Sequence, residues 1–168
     1  MGVVIGANGS GKSTLAEAWA VRLRADAGGR LLYLATTVVA DADGQQRVAR
    51  HRRQRQGLGF LTVESPTAEL AVGPSDVVLL EDVSNLVANL MFADRAADPA
   101  RAALDRLAEL RRASAHLIAV TIGGLVPQPD HWDETRDYLA ALESVNTALV
   151  RAADQVIETS GPESEAAP

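Results

Sequence analysis

Cysteine is absent from this 168-residue chain, which excludes disulfides, thiolate metal sites and a cysteine nucleophile. Lysine is almost absent: Lys12 is the only one, and every other basic side chain is arginine or histidine. Aromatic residues are scarce, two each of Trp, Tyr and Phe, too few to build a stacking stripe for single-stranded nucleic acid. No apolar run approaches the ~18 residues that suggest a membrane-spanning helix, and no basic leader opens the chain. The expected compartment is therefore the cytoplasm, with no membrane span. A net charge of −6 weighs against nucleic acid as a partner. What remains is 47% hydrophobic and 23% charged, a balance that can bury a proper core. One domain is expected over residues 1–160, followed by a small, acidic and disordered tail at 161–168.

The chemistry is concentrated near the start. Gly6-Ala7-Asn8-Gly9-Ser10-Gly11-Lys12-Ser13, followed by Thr14, fits the phosphate-loop pattern G-x-x-x-x-G-K-[ST] in full. A short apolar run, Val3 to Ile5, precedes it and a helical pattern follows, the context in which that pattern binds phosphate. Glycines let backbone N–H groups turn inward around a phosphate, and the next helix adds its positive end. Lys12 is placed to reach the β- and γ-phosphates, and Ser13 to ligate Mg²⁺. The reading is a site for a nucleoside triphosphate, GTP or ATP.

Strand and helix patterns alternate along the rest, the signature of a mostly parallel sheet with helices on both faces. Strands are expected at Val3–Ile5, Leu31–Thr36, Phe60–Glu64, Asp76–Asp82, His116–Thr121 and Gln155–Thr159. Helices are expected at Lys12–Ala27, Asp43–Gln56, Ser84–Phe92, Pro99–Ala113 and His131–Ala153, with a short one from Ser65-Pro66. Leu15, Trp19 and Leu23 share one face of the first helix, and Leu104, Leu107 and Leu110 form a core-facing stripe later. The fold class is α/β, a P-loop NTPase with a RecA-like sheet. The run ending in Glu81-Asp82 resembles a Walker B element, whose acid holds the shell of a phosphate-bound Mg²⁺. His116 and His131 open a strand and a helix and read as structural. Arg47, Arg50, Arg52, Arg53 and Arg55 crowd one segment around His51. Read alone, that segment is a solvated polar face.

Together these strings resemble one family. Tyr33-Leu-Ala-Thr36, Arg47-x-x-x-His51, Thr62-x-Glu64, Leu79-Leu-Glu81, Asn89-Leu90, Val126-Pro127, Val145-Asn146 and Ala152-Ala153-Asp154-x-Val156 occur in order. They resemble the bifunctional adenosylcobinamide kinase/adenosylcobinamide-phosphate guanylyltransferases of cobalamin biosynthesis. The resemblance implies that His51 attacks the α-phosphate of GTP and carries GMP, with Lys12 as the second catalytic group. It implies nucleotide contacts at Thr36, Arg47, Arg52, Glu64 and Glu81, and a metal shell from Ser13, Glu81 and Asp82. It further implies a corrinoid substrate of cobinamide type and a homo-oligomer, a closed trimer in that family. The chain departs from the family pattern at Ile122-Gly123-Gly124-Leu125, where an Asn-Glu pair is usual, and at Tyr138-Leu139-Ala140. Two other readings stay open on the residues alone: a small-molecule kinase without a covalent histidine, and a GTP-binding regulatory protein.

Overall fold

The computed structural model describes residues 1–38, 48, 49, 52, 53, 55–126, 128 and 132–160. Its apolar runs form six strands: β1 (Gly2–Gly6), β2 (Leu31–Ala35), β3 (Phe60–Glu64), β4 (Val77–Glu81), β5 (His116–Ile122) and β6 (Gln155–Thr159). All pair in parallel, in the order β3-β2-β4-β5-β1-β6. Parallel strands are covered on both faces, which is why β2 and β4 read as unbroken runs of Leu and Val rather than alternating patterns.

Alternate residues of those runs serve two cores. Helix α1 (Lys12–Ala27) covers one face, where Val4, Leu31, Tyr33, Val77, Leu79, Ile118 and Val120 are buried. Their neighbours Val3, Leu32, Leu34, Val78, Leu80, Leu117 and Ala119 point to the other face. That face is covered by α2 (Val83–Ala88), a π-helical turn (Asn89–Ala93), α3 (Pro99–Ala113) and α4 (Asp133–Ala152). Burying each of these Leu, Ile or Val side chains contributes roughly 1.5–3 kcal/mol, so the two cores hold the sheet flat against its helices. Asp98 caps α3 by accepting from the Arg101 N–H at 2.9 Å, with Pro99 at the first helical position.

The strand positions and α/β class expected from the sequence are those observed. Three local expectations are corrected. Leu15 is 38% exposed, and the buried face of α1 is instead the small pair Ala16 and Ala20. Small side chains let the helix lie close on the sheet, while Trp19 and Leu23 pack at the margin of that core. Ser65-Pro66 opens a turn and not a helix: the Ala68 N–H closes onto the Ser65 carbonyl at 3.1 Å, and Ala68 then adopts φ 58°. A left-handed alanine stops helical propagation at once. Finally, the helix after β4 begins at Val83, and its last turn is π-helical rather than α. Of the helix expected over 43–56, Val48, Ala49, Arg52 and Arg53 are described and helical, and a turn follows from Arg55. The expected tail lies outside the described residues.

Candidate active site

The carboxyl ends of β1 and β4 frame the site, with β5 between them in the sheet. The phosphate loop leaves β1 and runs into α1, which packs across β5 and against β4. This crossing carries the first turn of α1 to the end of β4. There the Ser13 hydroxyl donates to Oε1 of Glu81 at 2.6 Å. Two residues that were 68 positions apart in sequence become one polar pair.

The loop is held from both sides. Gly6 passes so close to β6 that a Cβ would lie 2.2 Å from the Thr159 hydroxyl, which only glycine permits. That hydroxyl shares a 2.6 Å hydrogen bond with Ser10. Gly11 precedes α1 at φ 82°, and no side chain caps the helix. The first N–H groups of α1 are thereby left without a side-chain acceptor, and an anion can accept from them. Lys12 donates to the Ala7 carbonyl at 2.6 Å, so its ammonium hangs over the loop it belongs to. Ala7, Asn8, Gly9 and Thr14 are exposed along the same rim.

At the other wall, β2 and β4 are clasped by Thr36. Its buried hydroxyl donates to the Asp82 carbonyl at 2.7 Å and accepts from the Asp82 N–H at 2.8 Å. The Glu81–Asp82 peptide bond is cis. Asp82 Oδ1 accepts from the Asn85 N–H at 2.8 Å and from the Ser84 hydroxyl, capping α2. One carboxylate oxygen of Asp82 is thus taken by the helix. Asn85 donates to the Thr37 hydroxyl at 3.1 Å, and Asn89 to the carbonyls of Thr36 at 2.7 Å and Pro66 at 3.0 Å. These two asparagines, four apart on one helix face, stitch the helix to the ends of β2 and β3. Their spacing was visible in the sequence, whereas nothing there linked Thr159 to Ser10.

Burial dominates the electrostatics. Glu81 is pushed up to about 7, chiefly by desolvation, with the neighbouring Asp82 and Glu17 charges adding to the effect. The Ser13 hydrogen bond and the Lys12 charge act in the opposite direction. Desolvation also lowers Lys12, against the pull of Glu81 and Asp82. Glu81 Oε2 is buried and has no hydrogen-bond partner. A buried, unpartnered carboxylate oxygen next to a serine hydroxyl is a donor set that suits Mg²⁺ or its water shell. Among the described residues no group of three or more His, Asp or Glu could enclose a metal, so phosphates and water would complete such a shell.

Arg52 and Glu64 form an exposed ion pair with one another. Glu64 ends the outer strand β3, four strand steps from β1 and hence ~19 Å away across the sheet. Arg47 and His51 lie outside the described residues. The residues that the structure brings together are therefore Gly6 to Ser13, Thr36, Glu81 and Asp82, with the Arg52–Glu64 pair at the far margin.

A family model described as cobinamide kinase / cobinamide phosphate guanyltransferase matches residues 2–161. The chain belongs to that family. No match was found among curated proteins. A cobinamide kinase / guanyltransferase is a transferase of cobalamin biosynthesis that uses GTP or ATP, and cobinamide is the substrate the family implies. No helix among the described residues is long and apolar enough to cross a membrane.

The loop that leaves β5 at Ile122 lies beside the phosphate loop. It is tied to the phosphate loop by the Gly123 N–H, which donates to the Gly6 carbonyl at 3.2 Å. Beneath it, Thr121 donates to Asn146 Oδ1 at 2.7 Å, and the Asn146 amide donates to the Ile122 carbonyl at 2.9 Å. Both side chains are buried, so Asn146 fixes the end of β5 rather than facing a ligand. Beyond that clamp several apolar side chains are exposed: Leu125 is 44%, Val126 66% and Trp132 84% exposed.

Proposed function

We propose that this protein phosphorylates adenosylcobinamide and then transfers GMP from GTP to adenosylcobinamide phosphate through a guanylyl-histidine at His51. The observation that carries the nucleotide half is the Ser13–Glu81 hydrogen bond beside a complete phosphate loop. The family match over residues 2–161 supports the two reactions. Backbone N–H groups from Gly9 to Ser13 and the Lys12 ammonium hold the β- and γ-phosphates. Thr36, by gripping both sides of the Asp82 peptide, sets where Glu81 points. Mg²⁺ held at Ser13, with Glu81 and the free oxygen of Asp82 behind it, would neutralise developing charge on the phosphates.

For guanylyl transfer, a neutral imidazole nitrogen of His51 attacks the α-phosphorus of GTP. An N–P bond forms, the Pα–O bond to the β-phosphate breaks, and pyrophosphate leaves with the electron pair. An oxygen of the cobinamide phosphate then attacks the same phosphorus and releases the imidazole. Arg47 and Arg52, on either side of His51 in the chain, are the guanidiniums assigned to steady the triphosphate. The cobinamide approaches over Leu125, Val126 and Trp132, whose apolar exposure suits a large macrocycle. A homo-oligomer, a closed trimer, follows from the family resemblance.

Intact-protein mass after incubation with GTP and Mg²⁺ tests the reading. The expected result is a gain of one GMP that is lost in acid and absent from His51→Ala. Tight GTP binding without that gain would remove the guanylyl step and leave a P-loop kinase.

A further inference from the structure

A second cation is buried beside the phosphate-loop helix, and no step proposed above uses it. Arg55 is only 6% exposed, although Arg52 and Arg53 just before it face solvent. Its guanidinium lies 3.5 Å from the centroid of the Tyr33 ring, stacked on β2. Nη1 comes within 3.6 Å of Glu17 Oε1 on α1, one turn beyond Ser13. That approach is too long for a hydrogen bond, and Nε and Nη1 have no hydrogen-bond partner. Glu17 is itself 8% exposed; burial raises its carboxyl pKa and Arg55 draws it back down. The far edge of the Tyr33 ring is closed by Phe60, whose ring stands perpendicular at 5.9 Å.

For stability alone this is a poor choice. A buried ion pair seldom outperforms apolar packing of the same volume, and donors left unsatisfied add a desolvation cost. What a buried arginine supplies is register. Its planar guanidinium seats against a flat ring in one orientation, while a carboxylate on a different element fixes its other edge. Here those two elements are β2 and α1, and α1 is the helix that carries Lys12 and Ser13. The residue they seize ends the arginine-rich segment.

We propose that Arg55 is a positioning residue that anchors the end of the arginine-rich run to α1 and β2, the helix and strand beside the phosphate loop. Nucleotide grip is left to the loop itself; the segment's contribution to group transfer depends on Arg55. This last point rests on the guanylyl-transfer reading, while the docking itself does not.

The test compares wild type with Arg55→Gln and Arg55→Lys on the full chain. Arg55→Lys keeps the charge and loses the planar stack, and it carries the same test if the glutamine variant does not fold. Three readouts are taken: GTP affinity, the rate of GMP-adduct formation at saturating GTP, and trypsin cleavage after Arg52 and Arg53. Docking by Arg55 predicts several-fold faster cleavage, nearly unchanged GTP affinity, and an adduct rate lowered by ~100-fold, the scale expected for a misplaced reacting group. Wild-type cleavage and wild-type rate in both variants would overturn the proposal. So would a GTP affinity that falls by the same factor as the rate, which would make Arg55 a nucleotide contact. Absence of any adduct in wild type would overturn the guanylyl reading instead, and the cleavage contrast would still decide the docking.

Discussion

Two regions at the carboxyl edge of the sheet are built differently. At β1, β4 and β2 the chain is tied by short polar bonds: Ser13 to Glu81, Ser10 to Thr159, and Thr36 to both sides of the Asp82 peptide. Past the end of β5 the Gly123 N–H bonds the Gly6 carbonyl, and the side chains of Leu125, Val126 and Trp132 are exposed. The first region is cross-tied by these bonds without any ligand, as a site must be if its dipoles are to stabilise phosphate charge without reorganising. The second offers exposed apolar area at Leu125, Val126 and Trp132. The first region belongs to the fold, and the second is laid over it.

Removing the ammonium at the first region should have the largest effect. Lys12→Ala is expected to lower GTP consumption by ~10²–10³-fold, the scale for deleting one preorganised charge in a transition state. Steady-state turnover with thermal unfolding alongside checks it, because the half-exposed Lys12 should leave stability nearly unchanged.

Glu81 gives the next effect, and its sign can be worked out. Its folded pKa is about 7 against 4.5 for the free side chain, so the unfolded chain loses its proton first. Stability of the nucleotide-free protein should therefore fall as pH rises from 4.5 toward 7, by up to about 3 kcal/mol at 1.36 kcal/mol per unit. Glu81→Gln should flatten that slope in urea titrations across the window while lowering turnover by less than Lys12→Ala does. In wild type, Mg²⁺–GTP binding near neutral pH should release a proton, seen as a buffer-dependent heat in calorimetry.

At the boundary between the two regions, Asn146→Leu strands the Thr121 hydroxyl and the Ile122 carbonyl. Leaving buried groups unpaired costs ~1–3 kcal/mol each, so a clear drop in unfolding midpoint is expected, with GTP affinity kept. The smallest effect belongs to the second region. Trp132→Ser should change stability by less than ~0.5 kcal/mol and leave GTP affinity alone, while raising the KM for cobinamide. If it weakened GTP instead, the contrast between the two regions would be wrong.

Much of this was legible in the sequence, and for a physical reason. Buried parallel strands must be apolar on both faces, so Leu31–Leu34 and Val77–Leu80 announced themselves. The phosphate loop was equally plain, because its glycines answer to local backbone geometry. Leu15 misled because helical periodicity does not tell an apolar face from a small one, and Ala16 and Ala20 make the closer contact. The Ser65 turn was hidden because Ser-Pro starts turns and helices alike, and the left-handed Ala68 that decides the matter leaves no mark in composition. Thr159, Asn146 and Glu17 act through contacts between distant elements, which only the assembled sheet brings together. Arg55 looked like one more surface arginine, since burial of a cation cannot be read from a basic run.

The most direct test of the central claim is a chase. Protein labelled with GMP from GTP is freed of nucleotide and then mixed with cobinamide phosphate. A guanylyl-histidine on the reaction path predicts that the label leaves the protein and appears on the corrinoid, with His51→Ala taking up none. Label that stays on the protein, or that appears as free GMP at the same rate with and without acceptor, would contradict it.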